Sequence, residues 1–279
     1  MATGKQKLLD KIHRLPGGTF WVFCVKQAWA ALFGGLLLGA IIVTRYVNLP
    51  LLSQYDWLFL WALFIQAVML LTRLEKPHEV VTIFVFHLVG LGMELFKTSS
   101  LIGSWTYPGD AIFMVGNVPL FSGFMYAAVG SYIARSWRVM ELEFVHYPKR
   151  LYTVLLALAI YVNFFSHHFA PDIRIVLFAA TAWLYRRTWV HYRLNGKRLR
   201  MPLLLGFGLI AVVIWFAENL GTWTHTWLYP NQLTSWHLVG IDKIGSWLLL
   251  MIISFILIDL LHYFRLRGFK NKKQRVVTW

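Results

Sequence analysis

The chain has 279 residues, of which 58% are hydrophobic and 14% are charged, and its formal net charge is +15. Soluble domains are usually about 45–50% apolar, so this composition argues against an ordinary soluble domain. A soluble chain this basic would suggest nucleic-acid binding, but the distribution of the charges follows a membrane pattern and removes the support for such a partner.

Apolar stretches that approach the ~20 residues needed to cross a bilayer recur along the whole chain. We predict an all-α fold, a polytopic membrane helix bundle with about eight transmembrane helices. The sixth span is the shortest, because its apolar core runs only from Ile175 to Tyr185 between two arginines. Snorkelling arginine side chains can extend such a core. The predicted spans are residues 27–46, 57–73, 79–96, 112–134, 151–168, 173–190, 202–220 and 243–264.

Most positive charges fall on one side of the predicted spans. All but four of the 27 Lys and Arg residues lie in segments that are cytoplasmic if the N-terminus is cytoplasmic. The four exceptions are Arg45, Lys97, Arg174 and Lys243. This is the positive-inside asymmetry. We therefore expect a multi-pass protein of the bacterial cytoplasmic (inner) membrane, with both termini cytoplasmic.

Three regions are expected from this pattern. We predict that residues 1–26 form a cytoplasmic amphipathic segment, because apolar residues recur there at helical spacing among lysines. We also expect no cleavable signal peptide in this segment. Residues 27–264 form the predicted transmembrane domain, and residues 265–279 a basic cytoplasmic tail. The apolar residues of the first segment are Leu8, Leu9, Ile12 and Leu15.

The chain lacks the motifs of common cofactor and metal sites. Its one cysteine, Cys24, excludes an intrachain disulfide and a cysteine-based metal cluster. There is one adjacent histidine pair and no histidine box for a di-iron site. No phosphate-binding loop or Gly-rich nucleotide fingerprint is present. We expect no metal and no cofactor.

Two regions of the chain resemble each other. Glu94 is followed by Trp-Thr-Tyr-Pro at 105–108, and Glu218 is followed by Trp-Leu-Tyr-Pro at 227–230. These and weaker matches in the same order predict a four-plus-four parallel repeat about an axis along the membrane normal. Chance, combined with the gathering of Trp and Tyr at membrane interfaces, is the alternative. The possible halves are residues 27–138 and 151–264.

Glu94 and Glu218 lie near the outer ends of the third and seventh predicted spans. Ionisable residues inside a membrane usually face the bundle interior or a wet cavity, and a desolvated carboxyl group is suited to proton donation. Both are therefore candidate catalytic residues, and His87 lies two turns before Glu94. The candidate substrate-binding residues at the same level are Lys97, Trp105, Tyr107, Asn117, Asn219, Trp227, Tyr229 and Lys243.

Structural roles are an open alternative for these residues. Glu94 and Lys97 are three residues apart and can form an interfacial ion pair. Glu218 can accept hydrogen bonds from loop amides. Asp259 and His262 are also three apart on the eighth predicted span, where charge neutralisation is the simpler reading.

The segment Glu94-Leu-Phe-Lys97, with Gly103-Ser-Trp-Thr-Tyr-Pro108 and the run from Val118 to Tyr132, resembles the bacterial YoaT-like family of integral membrane proteins, a domain of unknown function. That resemblance implies a polytopic bacterial membrane protein and no particular activity. The chain is also loosely similar to carotenoid hydratase and lycopene cyclase type membrane enzymes. This second likeness implies protonation of an isoprenoid double bond by a carboxylic acid. The residues that fit it are Glu94, Gly103, Trp105, Tyr107 and Pro119.

Three functions fit these observations. The favoured one is a membrane enzyme that acts on a lipid or isoprenoid through proton donation in an outward-facing pocket. A small-molecule transporter or permease and a non-catalytic assembly factor are the alternatives. Polar residues are few midway through the predicted bundle, which favours a one-sided pocket over a conduit. The expected partners are the lipid bilayer and a lipid or isoprenoid ligand.

Overall fold

The computed structural model describes residues 11–12, 16–47 and 50–276, without the side chains of residues 78 and 265–276. Asn48 and half of the predicted amphipathic segment, including Leu8, Leu9 and Leu15, lie outside these residues. The helices are α1 (Gly18–Ala30), α2 (Leu32–Tyr46), α3 (Gln54–Leu71), α4 (Pro77–Lys97), α5 (Phe121–Val139), α6 (Arg150–Ser166), α7 (Arg174–Tyr185), α8 (Leu203–Trp223) and α9 (Asp242–Val276).

Two small antiparallel sheets accompany the helices, so the all-α prediction holds only for the bulk of the fold. The first sheet pairs β1 (Met114–Val115) with β2 (Val118–Pro119). The second has the order β3-β4-β5 and is formed by β3 (Glu143–Val145), β4 (Trp189–Leu194) and β5 (Lys197–Pro202). A single 3₁₀ turn at Pro230–Gln232 lies in the loop between α8 and α9.

Within the described residues, four helices are long and apolar enough to cross a membrane: α3, α4, α8 and the first part of α9. A fifth span is obtained if α1 and α2, which meet at a 72° bend, count as one. Many large apolar side chains on these helices face outward, among them Phe64, Val81 and Val213. The chain is therefore a helical protein with four or five candidate membrane spans, and the structure does not support eight.

The differences from the predicted spans have local causes. The span predicted at 112–134 begins only at Phe121, because Gly116, at φ +59°, turns the chain between β1 and β2, and the 19-residue helix α5 that follows is not apolar enough to count as a span. The span predicted at 27–46 is interrupted at Ala31, between α1 and α2. The helices at the fifth and sixth predicted spans have 17 and 12 residues, which is short of the ~20 that a span needs.

The four-plus-four repeat is not supported either. The chain between α7 and α8 forms the β4–β5 hairpin, whereas α3 and α4 are joined by a short turn. Likewise, α7 has 12 residues, whereas its counterpart α3 has 18. The likeness between the two parts of the chain is confined to the glutamates and the loops that follow them.

Helices α4 and α5 pack closely because glycines line their contact. An ideal Cβ atom placed on Gly90 would lie 2.5 Å from the ring of Tyr126. One on Gly123 would lie 2.5 Å from Nδ1 of His87, and one on Gly130 would lie 2.9 Å from the ring of Phe86. Only glycine permits such close approach of ring and backbone, so these positions fix how α5 lies against Glu94.

Candidate functional site

Glu94 is buried at the C-terminal end of α4, with 2% of its surface exposed. One carboxylate oxygen, Oε2, accepts hydrogen bonds from Nε1 of Trp105 at 2.7 Å and from the hydroxyl of Tyr107 at 2.9 Å. The other oxygen, Oε1, accepts from the hydroxyl of Tyr126 at 2.8 Å. Its polar surroundings are therefore three aromatic donors, and no ion pair to Glu94 occurs among the described residues.

Each of these donors is held by a recognisable element of the fold. Trp105 and Tyr107 belong to the loop that follows α4, and Tyr126 stands one turn into α5. The ring of Tyr126 rests on Gly90, one turn before Glu94, which places its hydroxyl at the carboxylate. Burial and the negative charge of Glu94 raise the pKa of Tyr107 well above its ordinary value, so this hydroxyl remains a donor at neutral pH.

Glu218, near the C-terminal end of α8, has a similar environment and is 4% exposed. Its Oε1 accepts a hydrogen bond from the hydroxyl of Tyr229, and its Oε2 accepts one of 2.6 Å from Nε1 of Trp247 on α9. Trp227 does not take the place that Trp105 has at Glu94. Its ring lies instead on Gly221, where an ideal Cβ would lie 1.9 Å from the ring.

The two glutamate sites are joined by their loops. Thr106 and Leu228, the central residues of the two loop motifs, exchange backbone hydrogen bonds of 2.9 Å in both directions. Trp105, which binds Glu94, contacts the ring of Tyr229, which binds Glu218, with the ring centroids 6.2 Å apart. Burial raises the pKa of Tyr229 well above its ordinary value, and the charges of Glu218 and Glu94 both raise it further.

A common donor pattern distinguishes the two oxygens of each carboxylate. One oxygen is bound by a tryptophan N–H, from Trp105 or Trp247, and this group can only donate. The other oxygen is bound by a tyrosine hydroxyl, from Tyr126 or Tyr229, and a hydroxyl can donate or accept. Each glutamate can thus take a proton on the oxygen bound by a tyrosine alone, while the tryptophan, joined by Tyr107 at Glu94, keeps the carboxyl group in place.

The predicted basic partners of the glutamates lie elsewhere. Lys97 does not pair with Glu94; its Nζ lies 2.7 Å from Nε2 of His168, at the end of α6, and 4.2 Å from the ring centroid of Phe164. Burial lowers the pKa of His168, and the positive charge of Lys97 lowers it further. A neutral His168 can accept a hydrogen bond from the ammonium group, so the pair belongs to a second, cationic part of this region.

The remaining candidates mostly support loops. Asn117 donates to the carbonyl of Thr98 at 2.6 Å and so ties the β1–β2 turn to the end of α4. Asn219 donates to the carbonyl of Trp215 and accepts from the amide of Val239 at 2.9 Å, rather than binding Glu218. Lys243 lies over the ring of Tyr229, with Nζ 4.5 Å from the centroid.

Two residues at the start of α3 fix the loop that carries Trp105 and Tyr107. The carboxylate of Asp56 accepts from the amides of Ile112 and Phe113, at 2.9–3.1 Å. The hydroxyl of Tyr55 donates to the carbonyl of Thr226 at 2.8 Å. These contacts hold both loops against the bundle, and they explain a buried aspartate at a helix start without a catalytic role.

A second buried polar cluster lies at the opposite ends of α4 and α5, and the sequence analysis did not single it out. Glu75, 1% exposed, accepts hydrogen bonds from Gln66 at 2.6 Å and from Ser131. Arg135, also 1% exposed, donates to the carbonyl of Trp29 at 2.6 Å and interacts electrostatically with Glu75. The signal was available, since α5 carries its arginines at the same level as the acidic start of α4.

Asp259 and His262, which were noted for charge neutralisation on the eighth predicted span, have the following contacts. Asp259 forms an ion pair with Arg150 at 3.1 Å, and the ring of His262 stacks on Trp137 with centroids 5.3 Å apart. His87, expected near Glu94, instead packs its ring against Phe124 at 4.5 Å. These histidines are therefore parts of helix packing.

Comparison with known proteins gives a consistent picture. A family described as "Protein of unknown function (DUF817)" matches residues 19–255. The chain is 44% identical over 233 residues to the "Uncharacterized protein YoaT" of Bacillus subtilis (strain 168), an alignment that covers 84% of this chain and 88% of that protein. No solved structure matches the chain. The family match includes both glutamates and both loop motifs.

Proposed function

The chain belongs to the DUF817 family, and we propose that it is a membrane enzyme in which Glu94 donates a proton to a carbon–carbon double bond of a lipid or isoprenoid. One observation carries the proposal: a fully enclosed carboxyl group without a basic partner, bound by three aromatic donors and joined to a second carboxyl group of the same kind. Burial of a carboxyl group that serves only for packing costs free energy, whereas these surroundings suit a carboxyl group that acts as an acid catalyst.

The proposed step uses the two oxygens of Glu94 differently. Trp105 holds Oε2, and the proton resides on Oε1, where the hydroxyl of Tyr126 can turn to accept it. The proton adds to one carbon of the double bond, whose π electrons form the new C–H bond and leave a positive charge on the other carbon. Loss of a neighbouring proton to Glu94, or addition of water with return of its proton to Glu94, completes the reaction.

The rest of the site supplies stabilisation for that positive charge. Aromatic faces attract cations by roughly 0.5–2 kcal/mol each, and the rings of Trp105, Tyr107 and Tyr229 lie at the two glutamates. An ionised Glu218, fixed by Trp247 and Tyr229, adds a negative charge nearby. The proposal therefore assigns Glu94 as the acid and Glu218 as the stabilising carboxylate.

We further propose that the protein is a multi-pass protein of the bacterial inner membrane with both termini cytoplasmic. This orientation counts the shorter helices α5, α6 and α7 as crossing the bundle together with the longer ones, and on that count the distribution of Lys and Arg along the chain supports it. It places Glu94, Glu218 and their loops at the outer side. The substrate would then enter from the outer leaflet or from the periplasm.

Lipid extracts test the enzymatic proposal. Mass spectrometry compares bacterial cells that express the wild-type chain, Glu94→Gln, or Glu143→Gln as a matched control on the exposed β3 strand. We expect a changed lipid or isoprenoid profile with the wild type and the control, and no change with Glu94→Gln at equal membrane content. Tyr126→Phe, which leaves the carboxyl group intact, is a second variant expected to reduce the change. Identical profiles in wild type and Glu94→Gln would refute the proposal.

A proton-coupled transporter is the second candidate, and the buried Glu75–Arg135 cluster favours it. A transporter needs ionisable groups at both ends of the bundle, and this cluster provides them opposite Glu94. The layer between them is apolar, however, and includes Phe86, Phe124 and Ala127. Solute uptake that depends on both Glu94 and Glu75, with an unchanged lipid profile, would favour this candidate over the enzyme.

A further inference from the structure

Lys97 is a buried cation whose charge is not neutralised by a direct ion pair. Only 3% of its surface is exposed. Its contacts are the ring of Phe164 and Nε2 of His168, and no carboxylate within the described residues lies within ion-pair distance of it. Burial of a charge without a counter-ion is costly, so Lys97 is a candidate for binding an anionic ligand.

Two more cations converge on the same place. The charges of Lys243 and Arg174 both act on Lys97, and the charge of Asp172 opposes them. Arg174, at the start of α7, donates to Oγ of Ser246 on α9 at 3.2 Å and also pairs with Asp172. Together, Lys97, Arg174 and Lys243 make up three of the four Lys and Arg residues that the charge pattern places at the outer side.

The acidic groups near these cations are Asp172, Asp242, Glu218 and Glu94, whose carboxylate is occupied by its three aromatic donors. Asp172 is engaged by Arg174 and Asn163, and Glu218 by its two aromatic donors. Asp242 is exposed at the start of α9. None of them forms an ion pair with Lys97 or Lys243 among the described contacts, so the positive charges of these two lysines lack a direct carboxylate partner there.

An apolar groove of about 410 Å³ lies beside the cationic cluster, between α7, α8 and α9. Phe178 follows Arg174 by one helical turn, and Gly245 directly precedes Ser246, so the groove adjoins the Arg174 contact. Its wall is almost entirely apolar, as an acyl or prenyl chain requires. The residues that line it are Phe178, Thr181, Ala182, Leu204, Gly245 and Leu248.

From this arrangement we infer that Lys97, Arg174 and Lys243 bind the phosphate or diphosphate head group of a lipid whose chain lies along the α7–α9 groove. Lysine and arginine are the usual ligands of phosphate groups. The inference rests on the proposed function, since it names the substrate class of the same region. Lys97 is three residues after Glu94, and Lys243 covers Tyr229 at Glu218, so the head-proximal part of the chain lies beside both carboxyl groups.

Binding measurements on the purified, detergent-solubilised protein test this inference separately from catalysis. The probes are geranyl diphosphate, geraniol and inorganic pyrophosphate, and the readout is the dissociation constant from calorimetry. We expect geranyl diphosphate to bind more tightly than either other probe. Lys97→Gln and Arg174→Gln should each weaken its binding by about tenfold or more, the size of a lost charge-assisted contact.

Three further variants complete the test. Arg45→Gln removes an exposed positive charge from the end of α2 and should leave binding unchanged. Ala182→Trp fills the groove, so it should weaken the binding of geranyl diphosphate but not the binding of pyrophosphate. Glu94→Gln should bind normally even though it has lost activity, so a failed enzymatic proposal would leave the binding result standing.

Three results would overturn the inference. Equal affinities for geraniol and geranyl diphosphate would show that the diphosphate head group makes no contribution to binding. Equal affinities for pyrophosphate and geranyl diphosphate would show a site for a soluble phosphate without a lipid chain. Binding that is unchanged in Lys97→Gln and Arg174→Gln would place the ligand elsewhere.

Discussion

Substitution of Gly221 tests how the second loop is held against α8. An ideal Cβ at this position lies 1.9, 2.3 and 2.4 Å from three atoms of the Trp227 ring, whereas carbon atoms normally approach to about 3.5–4.0 Å. The added methyl group of Gly221→Ala must therefore displace the whole ring. Because Trp227 adjoins Leu228, which pairs with Thr106, and Tyr229, which binds Glu218, the displacement is transmitted to the candidate site.

The expected cost of Gly221→Ala combines two opposing effects. Overpacking of a core position costs about 1–3 kcal/mol, and because this overlap is large, we expect the cost at Gly221 to lie at the upper end of that range. Replacement of glycine by alanine in a helix returns about 0.5–1 kcal/mol. We therefore expect a net loss of about 2 kcal/mol in the free energy of unfolding, and weaker function in any assay that depends on Glu218.

The matched control is Gly208→Ala on the same helix. Nothing lies within 4 Å of an ideal Cβ at Gly208, so only the helix-propensity gain remains and stability should be equal or higher. Thermal unfolding of both variants, followed by fluorescence-detected size-exclusion chromatography, measures the difference. If Gly221→Ala were as stable as Gly208→Ala, the close packing of Trp227 on α8 would be refuted.

Two further predictions concern charged groups. Arg135→Leu should lower the free energy of unfolding by about 3 kcal/mol in a denaturation assay, because it leaves Glu75 buried without its positive neighbour. Its control is Arg198→Leu, which removes an exposed ion pair with Glu143 and should cost under about 1 kcal/mol in the same assay. The folded state holds the pKa of His168 below 6.5, so below pH 6.5 the unfolded chain binds more protons. The contribution of His168 to the free energy of unfolding should therefore be fully present above pH 6.5 and should decrease as the pH falls toward the lowered pKa. In His168→Gln the stability should depend less on pH, and thermal unfolding measured across this pH range tests both expectations.

The sequence predicts the long helices well and the connections poorly. The spans at 57–73, 79–96, 202–220 and 243–264 coincide closely with α3, α4, α8 and the first part of α9, because an uninterrupted apolar run has few alternatives to a helix. The β4–β5 hairpin carried a signal in Asn195-Gly196, a typical two-residue turn. Its many basic residues indicate a cytoplasmic loop equally well, so charge alone does not reveal the strands.

The candidate site shows the same division between local and long-range information. Trp105, Tyr107 and Tyr229 are found by their motif, and each contacts the glutamate of its own region. Tyr126 completes the site only because Gly90 lets α5 approach α4, and a pattern within one helix does not contain that information. The spacing of Glu94 and Lys97 permits a pair, but packing of α4 against α6 directs Lys97 to His168 instead.

The apolar layer between the two buried clusters decides which function the glutamates can serve. The ring of Phe86 packs against Gly130, and the ring of Phe124 packs against His87. Aromatic groups therefore fill the contact between α4 and α5 in the layer that separates Glu94 from Glu75. A proton that leaves Glu94 has acceptors at its own end, namely Tyr126, Tyr107 and a bound substrate, whereas the imidazole of His87 within the layer is enclosed by aromatic packing against Phe124. Because acid catalysis needs only that local return and transport needs a passage, the packing of α4 on α5 favours the enzyme.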